Sequence, residues 1–72
     1  MRNIFAERLK ALIMDKGISQ KTLAEKTQLS DAIISRWLKG KRQPTADNIM
    51  LIADYFDVST DYLLGRTGEY DK

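Results

Sequence analysis

The 72 residues predict an all-α domain of five short helices, and three observations carry that expectation. Apolar residues recur at i, i+3 and i+4, which is the helical period. Residues suited to N-caps (Asn3, Ser19, Ser30, Thr45 and Ser59) stand just before each periodic stretch, and Gly17, Gly40 and Gly65 follow three of them. Nothing in the chain reads as a strand.

Taken in order, Asn3 caps a first helix over Ile4–Lys16, with Phe5, Leu9, Leu12 and Ile13 inward and Gly17 placed to end it. Ser19 opens a second helix, Gln20–Thr27, whose inward face is only Leu23 and Ala24, so it must lean on its neighbours. After three connecting residues Ser30 caps a third helix over about 31–39, with Ile34, Trp37 and Leu38 as its inward stripe and Gly40 as its stop. Residues 41–44 form a loop, because Pro44 cannot extend a helix and biases Gln43 toward an extended backbone. Thr45 caps a fourth helix over about 46–57, with Asp47 favourably near its N-terminus and Ile49, Ile52, Ala53 and Phe56 inward. Ser59 caps a final short helix over about 60–64. The domain is expected to span 1–66, with 67–72 a polar tail that frays.

The composition narrows function by exclusion. With no cysteine and no histidine, disulfides and the usual zinc clusters cannot be built, no cofactor is implied, and stability must come from apolar packing. Catalysis is not expected either, since no paired carboxylates or phosphate-cradling glycine loop stand in a plausible pocket. No apolar run approaches the ~18 residues of a membrane span, and the N-terminus lacks a signal-peptide pattern, so the expected location is cytoplasmic.

The net charge of +2 conceals a strong asymmetry. Residues 1–15 carry +1. Residues 16–42 carry +5, from Lys16, Lys21, Lys26, Arg36, Lys39, Lys41 and Arg42 against Glu25 and Asp31. Residues 43–72 carry −4. Positive charge gathered in the middle third suits a polyanion, with nucleic acid the first candidate, although a merely solvated surface has the same composition.

Two short helices joined by three residues, the second more outward-facing than its core stripe requires, describe a helix-turn-helix over about 20–39. Ala24 is small where the two helices cross, Leu29 plugs the turn, and Ile34 and Trp37 anchor the second helix on helices one and four. The run "ISQKTLAEKTQLSDAIISRWLKGKRQPTADNIMLIADYFDVSTDYLLG" resembles the Cro/repressor-type helix-turn-helix family, whose members are five-helix, lambda-repressor-like DNA-binding domains. The resemblance covers about 5–65 and rests on the combination of "SQ…LA", "ISRWLKGKRQP" and "VSTDYLLG". It implies a sequence-specific binder of double-stranded DNA that regulates transcription, as a repressor, by reading the major groove with helix three. It further implies a homodimer on a palindromic operator, with the helix-five region able to form the two-fold contact.

Carried over by position, the resemblance assigns base reading to Asp31, Ala32, Ile33 and Arg36, with Ser35 between them. Phosphate contacts fall to Ser19, Gln20 and Ser30 at helix starts and to Lys39, Lys41 and Arg42 at the exit of helix three. Physical chemistry supplies a rival for several of these. Arg36 suits a bidentate bond to guanine or a phosphate clamp. Asp31 in a first helical turn is favourable with the helix dipole alone, yet it could accept from cytosine or adenine. Ala32 and Ile33 could meet a thymine methyl, and Ile33 could equally pack against helix two. Tyr55, Tyr62 and Leu63 are candidates for an exposed apolar patch or for ordinary core.

Two departures from the family pattern stand out. Gln28 occupies the turn position usually held by glycine and is expected to adopt φ > 0. Thr22 replaces a common glutamate, so a full capping box with Ser19 is not expected. An alternative function is a protein-interaction module of antitoxin type, using the acidic second half to hold a protein partner. A C-terminal domain in a longer chain is also compatible with the sequence.

Overall fold

A computed structural model describes residues 3–69, and among them are five α-helices: α1 (Ile4–Lys16), α2 (Gln20–Thr27), α3 (Asp31–Leu38), α4 (Ala46–Phe56) and α5 (Thr60–Leu63). No strand occurs among the described residues. The expected tail falls partly outside them, at residues 70–72.

All five expected N-caps form. Each capping side chain accepts from the N–H three residues on: Asn3 from Ala6, Ser19 from Thr22, Ser30 from Ile33, Thr45 from Asn48 and Ser59 from Tyr62, at 2.9–3.2 Å. Such bonds satisfy helix N–H groups that have no intrahelical acceptor and contribute about 1 kcal/mol apiece.

Three C-termini lie one residue earlier than the periodicity suggests. Lys39 and Leu64 are the C-caps of α3 and α5. Asp57, expected as the last residue of α4, has left the helix for the left-handed region (φ 57°, ψ 47°). Its departure lets Val58 donate to the Ala53 carbonyl at 2.9 Å and bury its own side chain. An aspartate tolerates this backbone better than most residues, so no glycine marks the turn.

The core draws on every helix: Phe5, Leu9, Leu12, Leu23, Ala24, Ile34, Trp37, Ile52, Ala53, Phe56, Val58, Tyr62 and Leu63 are all buried in one cluster. Ile13, Leu29, Leu38 and Ile49 are partly buried against it. Thr27 is also buried, and its hydroxyl donates to the Leu23 carbonyl at 2.7 Å, which removes the cost of an unpaired polar group. Tyr62 and Leu63 are therefore core rather than an exposed patch. The Arg8 guanidinium lies 4.5 Å above the Tyr62 ring and ties α1 to α5. Among the described residues, the large apolar side chains left exposed are Met14, Met50, Leu51 and Leu64.

Candidate nucleic-acid interface

The α2–turn–α3 unit is built from local rules. The Ser19 hydroxyl accepts from the Thr22 N–H and donates to the Thr22 hydroxyl, both at 3.0 Å, so the Thr22 side chain meets the Ser19 hydroxyl rather than the Ser19 N–H that a capping-box glutamate would reach. Gln28 ends α2 in the left-handed conformation expected of it (φ 60°, ψ 25°), and the N–H of Leu29 reaches back to the Ala24 carbonyl at 3.2 Å. That reversal tucks Leu29 against the core and delivers Ser30 as the cap of α3. Buried Ala24 keeps the two helices close, and α2 and α3 pack directly on each other.

Orientation of α3 follows from its anchors. Ile34 and Trp37 are almost fully buried, at 0% and 1% exposure. The Trp37 ring meets Phe5 of α1 edge-on, with centroids 5.6 Å apart at 89°. The α3 helix packs principally on α1 and α2. The Trp37 indole N–H is buried without an acceptor among the described residues. An unmade bond of that kind costs about 1–3 kcal/mol, which the packing of the ring has to offset.

At about 100° per residue, Ile33, Ile34, Trp37 and Leu38 occupy one side of α3. Asp31, Ala32, Ser35, Arg36 and Lys39 occupy the remaining arc, roughly 140° wide by the same period. Asp31, Ala32, Arg36 and Lys39 are exposed, and Ser35 is half-buried. Ile33 is set apart from them: it is half-buried and packs against the core, as its structural reading requires.

The exit from α3 is equally well defined. Gly40 (φ 72°) donates to the Trp37 carbonyl at 3.0 Å, and Lys41 donates to Arg36 at 2.9 Å. These paired bonds close the helix in a Schellman motif and leave Lys41 and Arg42 exposed immediately beyond it. Ser19 and Ser30 are exposed at the starts of α2 and α3, where free N–H groups and the helix dipole favour an anion.

One contact within the unit has no sequence signal. The Gln20 side-chain amide donates to the Asp31 carboxylate at 2.8 Å and to the Asp31 backbone carbonyl at 3.2 Å. Each residue is the first of its helix, so the turn brings the two helix starts together. Spacing along the chain gave no reason to pair them.

The comparisons with known proteins agree with this geometry. A family model described as helix-turn-helix matches residues 9–63. The HTH-type transcriptional regulator ImmR of Bacillus subtilis (strain 168) is 35% identical over 60 residues, covering 83% of this chain and 47% of that protein. The HTH-type transcriptional activator BcrR of Enterococcus faecalis is 37% identical over 60 residues, covering 83% of this chain and 29% of that protein. An uncharacterized HTH-type transcriptional regulator of Bacillus subtilis (strain 168), YobD, is 28% identical over 68 residues, covering 94% of this chain and 61% of that protein. The chain thus spans half or less of the length of the first two. No solved structure matches it significantly. With the matched region running from α1 through α5 around the α2–turn–α3 unit, the chain belongs to the helix-turn-helix family of Cro/repressor type.

Proposed function

We propose that the chain is a DNA-binding transcription regulator that inserts α3 into the major groove of duplex DNA and reads sequence from its exposed arc. The observation that carries this reading is the split of α3 into a locked side and a presented one. Ile34 and Trp37 hold it rigidly, while Asp31, Ala32 and Arg36 are exposed beside Ser35. A helix of about 10–12 Å diameter matches a groove about 12 Å wide. Arg36 reads guanine through its two-pronged guanidinium, and Ala32 offers a methyl-sized contact to thymine. Ile33, at the border of the core, contributes through whatever of its side chain stays outside it.

Phosphates are met by the helix starts at Ser19 and Ser30 and by Lys39, Lys41 and Arg42. These contacts set register, while base contacts set sequence. The +5 charge of residues 16–42 supports the assignment.

Repression is the regulatory outcome proposed, because occupying an operator blocks other proteins without any further contact. A homodimer on a palindromic operator belongs to the same proposal and would place its half-sites about 34 Å apart. The Cα trace is 27 Å in its longest dimension, so two domains fit side by side at that spacing once side chains are added.

The test is duplex binding as a function of salt, followed by selection from a random pool. Affinity should fall steeply with salt, with a slope near 0.9 per phosphate neutralised, and selected sites should be two-fold symmetric. A flat salt response, or no duplex binding at low salt, would sink the reading and favour the protein-interaction module.

A further inference from the structure

We infer that the outward face of α4 is a docking surface for a second protein, and that its occupant is a basic amphipathic helix. The inference goes beyond the DNA-binding reading and does not rest on it, because this face would repel a duplex.

The α4 helix is patterned on its outer side as well as its inner one. Ile49, Ile52, Ala53 and Phe56 pack into the core. The exposed residues are Ala46, Asp47, Met50, Leu51 and Asp54, and at about 100° per residue they share an arc roughly 140° wide. Met50 and Leu51 are 56% and 37% exposed. Asp47, Met50, Leu51 and Asp54 stand at i, i+3, i+4 and i+7, the spacing by which one helix presents a stripe to another. Scattered apolar residues on a surface are ordinary, and Met14 near the end of α1 is one of them. An adjacent apolar pair with an acid one turn to either side is instead the centre and rim of a small helix contact.

Charge decides what can cover it. From Gln43 to Gly65 the sequence holds Asp47, Asp54, Asp57 and Asp61 and no lysine or arginine. A second copy of this chain is a poor occupant. A two-fold contact sets the patch against itself, so antiparallel α4 helices would bring Asp47 of each copy toward Asp54 of the other, with no cation on either helix to separate them. Nucleic acid and anionic lipid are repelled for the same reason. A helix with lysine or arginine at i and i+7 around apolar residues at i+3 and i+4 fits instead. Its cations stand about 10 Å apart along the axis, as Asp47 and Asp54 do, and its apolar pair meets Met50 and Leu51. Methionine suits the centre of such a contact, because its flexible thioether adapts to the shape of a partner. Asp54 is also engaged within the domain, so a partner cation would share it. A chain holding duplex through α2 and α3 would thereby carry a second protein on α4.

The test uses the whole chain and a synthetic helical peptide built around Lys-x-x-Leu-Leu-x-x-Lys, with alanine and glutamine elsewhere, followed through backbone amide shifts in NMR. Saturable shifts should map to the amides of α4. A peptide with glutamate in place of both lysines should bind α4 roughly 2- to 25-fold more weakly, the range for two exposed ion pairs. With alanine in place of both leucines, the α4 shifts should no longer saturate. Asp47→Lys combined with Asp54→Lys should reverse the preference toward the glutamate peptide. Met50→Gln keeps size and charge but removes apolar surface; it should weaken the lysine peptide by about 5-fold or more, and it carries the test if the double variant does not fold.

If the glutamate or the alanine peptide binds α4 as tightly as the first, the face is not selecting a basic amphipathic helix and the inference is overturned. Peptide shifts confined to other elements overturn it too. Shifts at α4 that grow with protein concentration in the absence of peptide assign the face to a second copy, which equally overturns it. None of these outcomes bears on duplex binding, so failure here is distinct from failure of the DNA reading.

Discussion

Replacing Gly65 by alanine probes how the end of α5 closes against the start of α1. Gly65 adopts φ +80°, and its N–H donates to the Tyr62 carbonyl at 3.1 Å while Arg66 donates to Asp61 at 2.8 Å, completing the cap of α5. A Cβ built there would lie 2.5 Å from Ile4 Cγ2 and 3.3 Å from Ile4 Cβ. The first atom is a branch methyl two bonds from the Ile4 Cα, not the tip of a flexible chain, so relief requires movement of Ile4 or of the turn. The left-handed backbone costs alanine about 1–2 kcal/mol, and forcing a methyl into an occupied site adds about 1–3 kcal/mol. A domain of this size has a stability of roughly 4–11 kcal/mol, so the loss is a large share of it.

Thermal unfolding followed by circular dichroism should show a Tm at least about 8 °C lower, at roughly 4 °C or more per kcal/mol. Gly17→Ala is the control, since Gly17 has φ +65° but nothing within 4 Å of its Cβ position. It should lose only the backbone contribution, part of which the stiffer unfolded chain offsets. Combining Gly65→Ala with Ile4→Ala should be clearly less than additive, because the second change removes the methyl that obstructs the first. If Gly65→Ala costs no more than Gly17→Ala, the close approach to Ile4 is not a constraint on the fold.

The remaining predictions concern the turn and the interface. Gln28→Gly should raise stability by up to about 1 kcal/mol in denaturant titration, because it relieves a non-glycine residue at φ 60°, with DNA affinity unchanged. Ser30→Ala should lower stability by about 1 kcal/mol through loss of the α3 cap, measured by the same titration. Arg36→Ala should weaken binding to the preferred site by roughly 1–3 kcal/mol and relax one base position, read by competition among single-base variants. Lys41→Ala should weaken all sequences alike and reduce the salt slope by about one. Should Arg36→Ala and Lys41→Ala both lose affinity uniformly, the division between reading and anchoring is wrong.

Much of the candidate site was legible because its determinants are local. Ser30 as a cap, Ile34 and Trp37 as a buried stripe and Gly40 as a helix stop each depend on residues within about one helical turn, whereas the positive φ at Gln28 was expected from the family's turn position. Ile33 was not legible, because its period places it at the border between core and solvent. Only the neighbouring surface decides such a residue, and it came out half-buried. The acidic turn at Asp57 was hidden for a related reason: aspartate is a permissive but weak signal for the left-handed backbone, and the burial of Val58 that accompanies it depends on a core assembled from other helices.

By itself the sequence determined the five-helix class, the caps, the inward stripes and the concentration of positive charge around α2 and α3. Helical period and capping act over three or four residues, so they can be read along the chain. Tertiary structure alone decided that Gln20 spends its amide on Asp31, that Tyr62 and Leu63 are core, that Trp37 packs on Phe5, and that Gly65 has no room for a methyl beside Ile4. Each of these is a contact between residues distant in sequence. Its existence depends on how packed helices place their ends and faces, which no local pattern encodes.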